Sequence, residues 1–357
     1  MAAGNGTLSR LCSRALPWRL ARSILGRSSR ADLRNLQPRR IALIACHWIG
    51  DTFWATQVVE PLRRRFPNCE LTAITKPFAG DLWHGLIPPQ RVVAAPEVVS
   101  DRHRETVRWG AILRRAKALR GQRFDLAIDL TGNRYSALLV FRMRPRRSIG
   151  FDGGEIGWLY SHRVGDAERP GRHLSERPFR VIEPLLAGTP EPFAYRLPLR
   201  PPEPTCPAAE VRSRLGIGNR GYYVLAPGAG WPAKQSPPAM FAEAGRRLGG
   251  AAAVVLTGSQ SELELCRSVA QAIGEALLVV GRPVGEVVAL LSEAAGVLCN
   301  DSGVGHLAAA LNRPTAAVFT TATNPQMCRP LGPDDLAKVF TRDDSIDDIV
   351  AHLVAVR

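Results

Sequence analysis

Asp51 is the first residue with a possible chemical role. It stands in Cys46-His-Trp-Ile-Gly-Asp51-Thr-Phe-Trp-Ala-Thr56, directly after an apolar run. Gly50 permits a tight turn, and a carboxylate at the start of the helix that follows is favoured by the positive end of the helix dipole. Two readings stay open at this stage. Asp51 caps its helix, or it is a general base, a role worth about 10²- to 10⁴-fold in rate. His47 is an alternative base, although a histidine just after a buried strand commonly serves structure.

A second loop, Ala226-Pro-Gly228-Ala-Gly230-Trp-Pro232-Ala-Lys234-Gln-Ser236, also follows an apolar run. Gly228 and Gly230 let backbone approach a ligand closely, and Lys234 supplies a mobile positive charge suited to phosphate. Gly228, Gly230 and Ala233 formally fit a dinucleotide fingerprint. The acid expected about 20 residues on is absent, however, because the next strand ends in Leu256-Thr-Gly-Ser-Gln. A structural Gly/Pro turn is the local alternative.

The third loop is Cys299-Asn-Asp301-Ser302-Gly303-Val-Gly305-His306. Free backbone N–H groups at a helix start, with a hydroxyl from Ser302, form an anion site, and His306 in the first helical turn can point at the same anion. Helix capping by Asp301 or Ser302 is the alternative. A serine hydrolase is not expected, since Asn300 and Val304 replace the glycines of GxSxG. Glu262, after Leu256-Thr-Gly258-Ser-Gln-Ser, either belongs to a helix cap or accepts from ribose hydroxyls. Arg142, Arg144, Arg146 and Arg147 form a basic cluster that meets anionic acceptor groups or is simply a solvated face.

The elements that must position these loops alternate along the chain. Ile41–Cys46, a helical pattern near Thr56 to Phe66, and Glu70–Thr75 make a βαβ unit. Arg91–Ala94, an Arg-rich helix around Arg104 to Arg120, and the buried strand Phe124–Leu130 extend it. Leu197–Pro207 reads LPLRPPEPTCP, whose five prolines favour an extended spacer. The pattern then restarts with strands at Tyr222–Ala226, Ala252–Leu256, Ala276–Val280, Gly296–Cys299 and Thr315–Phe319, separated by helices. The expected architecture is α/β, with two doubly wound parallel sheets facing each other across a cleft and chemistry in the loops after the strands. Residues 1–40 are a basic arm, 41–200 an acceptor-side domain, 201–207 the linker, 208–340 the donor-side domain and 341–357 a C-terminal helix.

Length and composition agree. The chain has 357 residues, 45% apolar and 22% charged, which is enough for two packed cores and excludes a small disulfide-knotted protein. The net charge is +15, and residues 1–40, with nine Arg against the single acid Asp32, carry +8 of it. Interleaved Arg, Leu, Ile and Trp between Leu8 and Leu25 suit an anionic membrane surface; an organellar transit peptide and a solvated tail are the alternatives. No run reaches the roughly 18 apolar residues of a spanning helix. The seven cysteines are odd in number and contain no CxxC pair, which predicts reduced thiols and a cytoplasmic setting, peripheral at the inner face of the membrane if the arm binds lipid.

Several motifs together resemble the heptosyltransferases, glycosyltransferase family 9. They are IGDxxxAT at Ile49–Thr56, FDLAIDLTGN at Phe124–Asn133, RSIGFD at Arg147–Asp152, PGAGWPAKQ at Pro227–Gln235 and NDSGVGHLAAALNRPTAAVF at Asn300–Phe319. The similarity runs from about residue 41 to 350, and the arm before Pro38 has no counterpart. The resemblance implies a GT-B fold and an inverting glycosyl transfer without metal or cofactor, from an ADP-sugar, usually ADP-heptose, to a lipid-linked or lipopolysaccharide-core acceptor. It also implies Asp51 as base, Lys234 as diphosphate contact, and Asp301, Ser302, Gly303 and His306 as phosphate cradle. The absence of a DxD-type metal pair agrees, since Asp343-Asp344 and Asp347-Asp348 fall in the C-terminal tail. After Phe319 the chain reads Thr-Thr-Ala-Thr-Asn-Pro-Gln where relatives commonly carry a Gly-Pro-Thr-Asp-Pro type of loop, which bears on sugar and nucleotide preference. Trp48 and Trp54 flank Asp51 as candidate walls of an acceptor pocket, with Arg144 and Arg147 as further acceptor-side candidates. A monomer without a nucleic-acid partner is expected. The competing readings are a non-catalytic nucleotide-sugar-binding protein and an NAD-dependent oxidoreductase.

Overall fold

A computed structural model describes residues 33–98, 109–152, 157–165, 172–187, 199–250, 252–333 and 335–355. Most of the basic arm, and the lipid reading attached to it, therefore lies outside the described residues.

Two six-stranded sheets form the molecule. The first contains β1 (Arg40–Ala45), β2 (Glu70–Thr75), β3 (Val92–Ala94), β4 (Leu126–Asp129), β5 (Arg147–Asp152) and β6 (His162–Gly165), in the order β3-β2-β1-β4-β5-β6. The second contains β7 (Tyr222–Ala226), β8 (Ala253–Gly258), β9 (Ala276–Val280), β10 (Gly296–Asn300), β11 (Thr315–Phe319) and β12 (Ala337–Thr341), in the order β12-β11-β10-β7-β8-β9. Every neighbouring pair is parallel. Both sheets share one topology, and strand order reverses between β1 and β4 and between β7 and β10. Those two switch points are where a parallel sheet opens a crevice at its carboxyl edge.

Helices cover both faces, so central strands are apolar throughout rather than alternating. Along β1, Ile41, Leu43 and Ala45 enter one core while Ala42 and Ile44 enter another, and all five are fully buried. A third core crosses the domain boundary: Phe53, Trp54, Ala79 and Leu82 of the first domain pack with Val284, Val288, Leu291 and Leu307 of the second. Polar bonds reinforce that junction. Asp81 Oδ2 accepts from Gly285 N–H of the second domain at 3.1 Å, and the Gln57 amide ties down the Arg200 backbone, at 2.9 and 3.2 Å, just before the linker. The result is the GT-B arrangement.

Several elements differ from the sequence pattern. The helix expected near Thr56 to Phe66 is two helices, Ile49–Thr56 and Val59–Arg65, joined by a turn at Gln57 and Val58. Pro61 lacks an N–H, and such a residue is tolerated only in the first turn, so a new helix starts just before it. Strands β5, β6 and β12 were unforeseen: the short buried run of β5 stood out only as a motif, while β6 and β12 are edge strands in which covered and exposed residues mix, so neither presents a continuous apolar run. The C-terminal helix spans Ile346–Ala355 rather than starting at residue 341, because Thr341 ends β12 and gives its N–H and hydroxyl to Asp344 at 2.6 and 2.8 Å. The six described cysteines are free thiols.

Candidate active site

All three loops singled out by their residue types emerge at the carboxyl edges of the sheets, at the switch points. The Asp51 loop leaves β1. The Lys234 loop leaves β7, and the Asp301–His306 loop leaves the adjacent β10.

The first and third loops meet across the domain boundary through small residues. A Cβ on Gly303 would lie 2.7 Å from Ile49 Cβ, and one on Gly50 would lie 2.5 Å from the His306 Cδ2. The helices Ile49–Thr56 and Gly303–Ala310 therefore approach start to start, and glycine makes the approach possible. Asp51 is the third residue of its helix and half-buried; Trp48 holds the N-cap position. Capping does not explain Asp51. No hydrogen bond or ion pair engages its carboxylate among the described residues.

His306 is buried behind this contact. Its ring lies 4.6 Å from that of Trp54, which in turn meets His173 edge-on at 5.3 Å. Burial dominates its protonation and pushes the pKa down to about 4, against the opposing pull of Asp301 and Asp51. The imidazole is neutral at physiological pH, and its Nδ1 has no hydrogen-bond partner.

In the second domain, Lys234 Nζ stands 2.6 Å from Asp301 Oδ2 with side chains only 13% and 4% exposed, and lies 4.1 Å above the Trp231 ring. Thr323 donates to the same carboxylate oxygen at 2.6 Å. Asn300 fixes the two loops to each other. Its Nδ2 donates to Pro227 O at 2.7 Å, and its Oδ1 accepts from Ser236 N–H at 3.0 Å. The hydroxyls of Ser236 and Ser302 are buried without partners. Ser302 takes the N-cap position of Gly303–Ala310 but makes no side-chain cap bond, and Asp301 is engaged with Lys234, so neither serves as an ordinary cap. An ammonium, two hydroxyls and an imidazole nitrogen without hydrogen-bond partners, and a helix N-terminus thus belong to the adjacent segments that follow β7 and β10. That set suits a polyanion.

The remaining expected residues divide. Gly228 packs its Cα against the Glu262 carboxylate, where a Cβ would collide. Glu262 Oε2 accepts from the Ser259 N–H and hydroxyl, both at 2.7 Å, completing a capping box. Gly230 is exposed, and nothing lies within 4 Å of where its Cβ would stand. His47 Nε2 is bound to Leu130 O at 3.1 Å, a structural tie to the end of β4. Trp48 is 42% exposed and stacks with Phe78 at 6.1 Å, leaving an aromatic pair beside Asp51.

Three acceptor-side expectations are corrected. Trp54 is 3% exposed within the interdomain core, so it supports the His306 ring instead of forming a pocket wall. Arg144 and Arg147 lie at the amino-terminal edge of the first sheet, where Arg147 opens β5 opposite Leu126, the first residue of β4. A helix-to-strand connection enters a parallel sheet at the edge opposite its carboxyl ends, which separates both arginines from the cleft.

Other residues went unmarked in the sequence. His173 accepts at Nδ1 from Ser175 N–H at 3.2 Å and donates from Nε2 to Arg329 O of the other domain at 2.9 Å. No local pattern announces it. Asp129, at the end of β4, accepts from Thr131 and Gly132 N–H at 2.9 and 3.0 Å and from the Tyr160 hydroxyl at 2.7 Å, holding the turn beside the Asp51 loop. Burial raises its pKa. Asn300 and Thr323 were visible inside quoted motifs, but only their contacts give them roles. Among the described residues no group of three or more His, Cys, Asp or Glu could hold a metal ion.

Two outcomes follow from this packing. Gly50→Ala should leave the helix intact, since alanine is the better helix former, yet force His306 or the whole helix aside. Misplacement of about 1 Å costs roughly 10²-fold in rate, so turnover should collapse with unchanged circular dichroism; wild-type turnover would deny that the close contact matters. For His306, the unfolded chain binds a proton between its ordinary pKa near 6.5 and about 4, while the folded protein does not. Stability present above that window is lost as pH falls through it, by up to about 3 kcal/mol at about 1.36 kcal/mol per unit. Denaturant titrations of wild type and His306→Gln should therefore converge toward acid, and parallel curves would contradict the assignment.

Comparison with known proteins follows the same lines. The family described as Glycosyltransferase family 9 (heptosyltransferase) matches residues 112–345. Among curated proteins, lipooligosaccharide heptosyltransferase 2 of Haemophilus influenzae is 25% identical over 307 residues, covering 82% of this chain and 86% of the relative. Lipopolysaccharide heptosyltransferase 2 of Escherichia coli is 26% identical over 297 residues, covering 78% and 82%. Among solved structures, E. coli ADP-heptose lipopolysaccharide heptosyltransferase II superposes with a TM-score of 0.73 at 21% identity, over 88% of this chain and 98% of that one. E. coli heptosyltransferase WaaC with ADP gives 0.63 at 19% identity, over 85% and 93%. At those identities the structural likeness establishes the shared two-sheet fold.

Proposed function

Because the chain belongs to glycosyltransferase family 9, and is thus a glycosyltransferase, we propose that it moves a heptose or similar sugar from an ADP-sugar to a lipopolysaccharide-core or related lipid-linked acceptor. The reaction is a single displacement with inversion. One arrangement carries this reading: Asp51, with a carboxylate unengaged among the described residues, lies on the first-domain helix that abuts the second-domain helix bearing His306, next to the buried Lys234–Asp301 pair.

Asp51 Oδ takes the proton of the acceptor hydroxyl while that oxygen bonds to the anomeric carbon. The bond from the anomeric carbon to the diphosphate oxygen breaks on the opposite face, and the nucleoside diphosphate leaves with the electron pair. Lys234 Nζ, the Ser236 and Ser302 hydroxyls and the helix start at Gly303 receive the developing charge, which is where preorganised donors contribute most. Neutral His306 presents a nitrogen to the same anion without adding a permanent charge. In this reading Lys234 and the backbone amides balance the diphosphate, so the transfer proceeds without a metal or other cofactor. Asn300 positions the two loops, and Glu262 braces the Gly228 turn and accepts from a donor ribose hydroxyl.

Asp51 and the Trp48–Phe78 pair mark the acceptor side, as an aromatic pair suits the face of a sugar ring. The protein acts as a monomer on the cytoplasmic side of the membrane that carries the acceptor. No helix among the described residues is long and apolar enough to cross a membrane. The oxidoreductase and non-catalytic readings give way to transferase membership. A screen of ADP-, UDP- and GDP-sugars with purified protein and a truncated lipopolysaccharide acceptor, reading released nucleoside diphosphate, tests the proposal. Acceptor-dependent release from ADP-heptose is expected, and release only from a UDP- or GDP-sugar would overturn the donor assignment.

A further inference from the structure

The helix Trp109–Arg120 packs Ile112, Ala116 and Leu119 inward beside the helix Arg134–Met143, on one face of the first sheet. Its outward side is unusual. Trp109 is 50% and Leu113 40% exposed, and Arg114 and Lys117 are exposed alongside them. Residues one turn apart share a face, so Trp109, Leu113 and Lys117 form one row and Gly110 and Arg114 its neighbour. The row leads to Arg120, Arg123, Arg142 and Arg144 at the ends of the two helices, where Arg120 Nε donates to Arg142 O at 2.6 Å. Partial desolvation, then the charges of Arg144 and Arg142, lowers the Arg120 pKa. None of these six basic residues has a carboxylate partner among the described residues. The acid at this edge, Asp125, is already bound to the Arg39 and Arg40 N–H groups and paired with Arg146 at 3.5 Å.

An unbalanced positive surface with large apolar side chains in the same row has a specific complement. A nucleic acid offers anionic charge but no apolar layer for Leu113, and an acidic protein groove would have to match a convex helix. An anionic bilayer supplies both, because headgroups meet the basic residues while Trp and Leu enter the headgroup boundary and the basic stems lie along it. We infer that the outer face of Trp109–Arg120 and the adjoining Arg142–Arg144 corner dock the folded first domain on an anionic lipid surface.

Position supports the same orientation. Crossover helices run opposite to their strands, so Trp109 lies toward the cleft edge of the sheet and Arg120 toward the far edge, about 18 Å away along the helix axis. A bilayer against this face runs beside the first domain with the cleft at its margin. The chain also enters β1 at Arg40, on the same edge as Arg147, so the basic segment before it joins the domain beside the patch. The docking face is separate from that segment and from the reaction chemistry.

Full-length protein should co-sediment with vesicles of equimolar phosphatidylcholine and phosphatidylglycerol and not with phosphatidylcholine alone. Arg114→Gln with Lys117→Gln should lower partitioning roughly 30-fold, from about 1 kcal/mol per basic residue near the surface at about 1.4 kcal/mol per tenfold. That loss should vanish in high salt. Leu113→Ser should lower it several-fold at any salt. All three positions are exposed, so the variants keep the wild-type melting temperature. Wild-type pelleting by both variants would overturn the inference. So would a patch-dependent preference for a duplex oligonucleotide over the anionic vesicles.

Discussion

Asp51→Asn is expected to abolish transfer while nucleotide binding stays at the wild-type level. The substitution keeps the shape of the side chain and removes its ability to accept a proton. Removing a positioned general base typically costs about 10²- to 10⁴-fold. Local rearrangement is not expected, because no bond engages the carboxylate among the described residues and the N-cap position belongs to Trp48. The measurement is a pair: acceptor-dependent nucleoside diphosphate release, and calorimetric affinity for ADP. Retained turnover removes Asp51 from the mechanism. Joint loss of turnover and ADP affinity would make it a structural residue of the second domain's cradle.

Lys234→Ala should produce two separable losses. The ammonium is the cation of the proposed diphosphate site, and a charge-assisted contact contributes about 1.5–3 kcal/mol, so ADP affinity should fall roughly 10- to 150-fold. The second loss is structural. Asp301 is 4% exposed, and without Lys234 its carboxylate keeps the Thr323 hydroxyl and the weak Cys328 thiol. Breaking a buried pair by deleting one partner costs about 3–5 kcal/mol, because a charge is left uncompensated. Lys234→Ala with Asp301→Asn removes that charge, and the amide oxygen still accepts from Thr323. The double variant should therefore regain most of the melting temperature but none of the ADP affinity. Unchanged affinity in both variants would refute the diphosphate contact, and a double variant as unstable as the single one would refute the buried-charge account.

The cycle also bears on how the site is built. Lys234 is held by Asp301 and Trp231 in a fixed place rather than left to sample solvent. An arriving diphosphate then meets a cation whose conformational freedom is already restricted, which reduces the ordering cost of binding.

The loops of the candidate site were legible as loops at the carboxyl edges of the sheets because each follows a buried apolar strand and combines glycine with a charged or hydroxyl residue, and such a pattern survives in one dimension. Roles within the loops were less legible. Asp51 as cap or base could not be decided from neighbours alone, since the cap position differs by a few residues and only backbone geometry assigns it to Trp48. Glu262 belongs to a capping box with Ser259, which agrees with the cap alternative the sequence left open. Its contact with Gly228, more than 30 residues earlier, depends on β7 and β8 lying side by side. The arginine cluster misled for a related reason. Sequence proximity to β5 says nothing about which end of the strand it occupies relative to the cleft.

Local properties were thus fixed by the chain itself: where apolar runs form strands, where prolines interrupt them, and which turns hold glycine, lysine, aspartate or serine. Those depend on backbone preferences and hydrophobic burial over a few residues. Tertiary packing decided that Gly50 faces Gly303 and His306 across two domains, that Lys234 is paired with Asp301, and that His306 is neutral. Each of these depends on desolvation or close contact between residues far apart in the chain, and a sequence has no means of expressing distance through space.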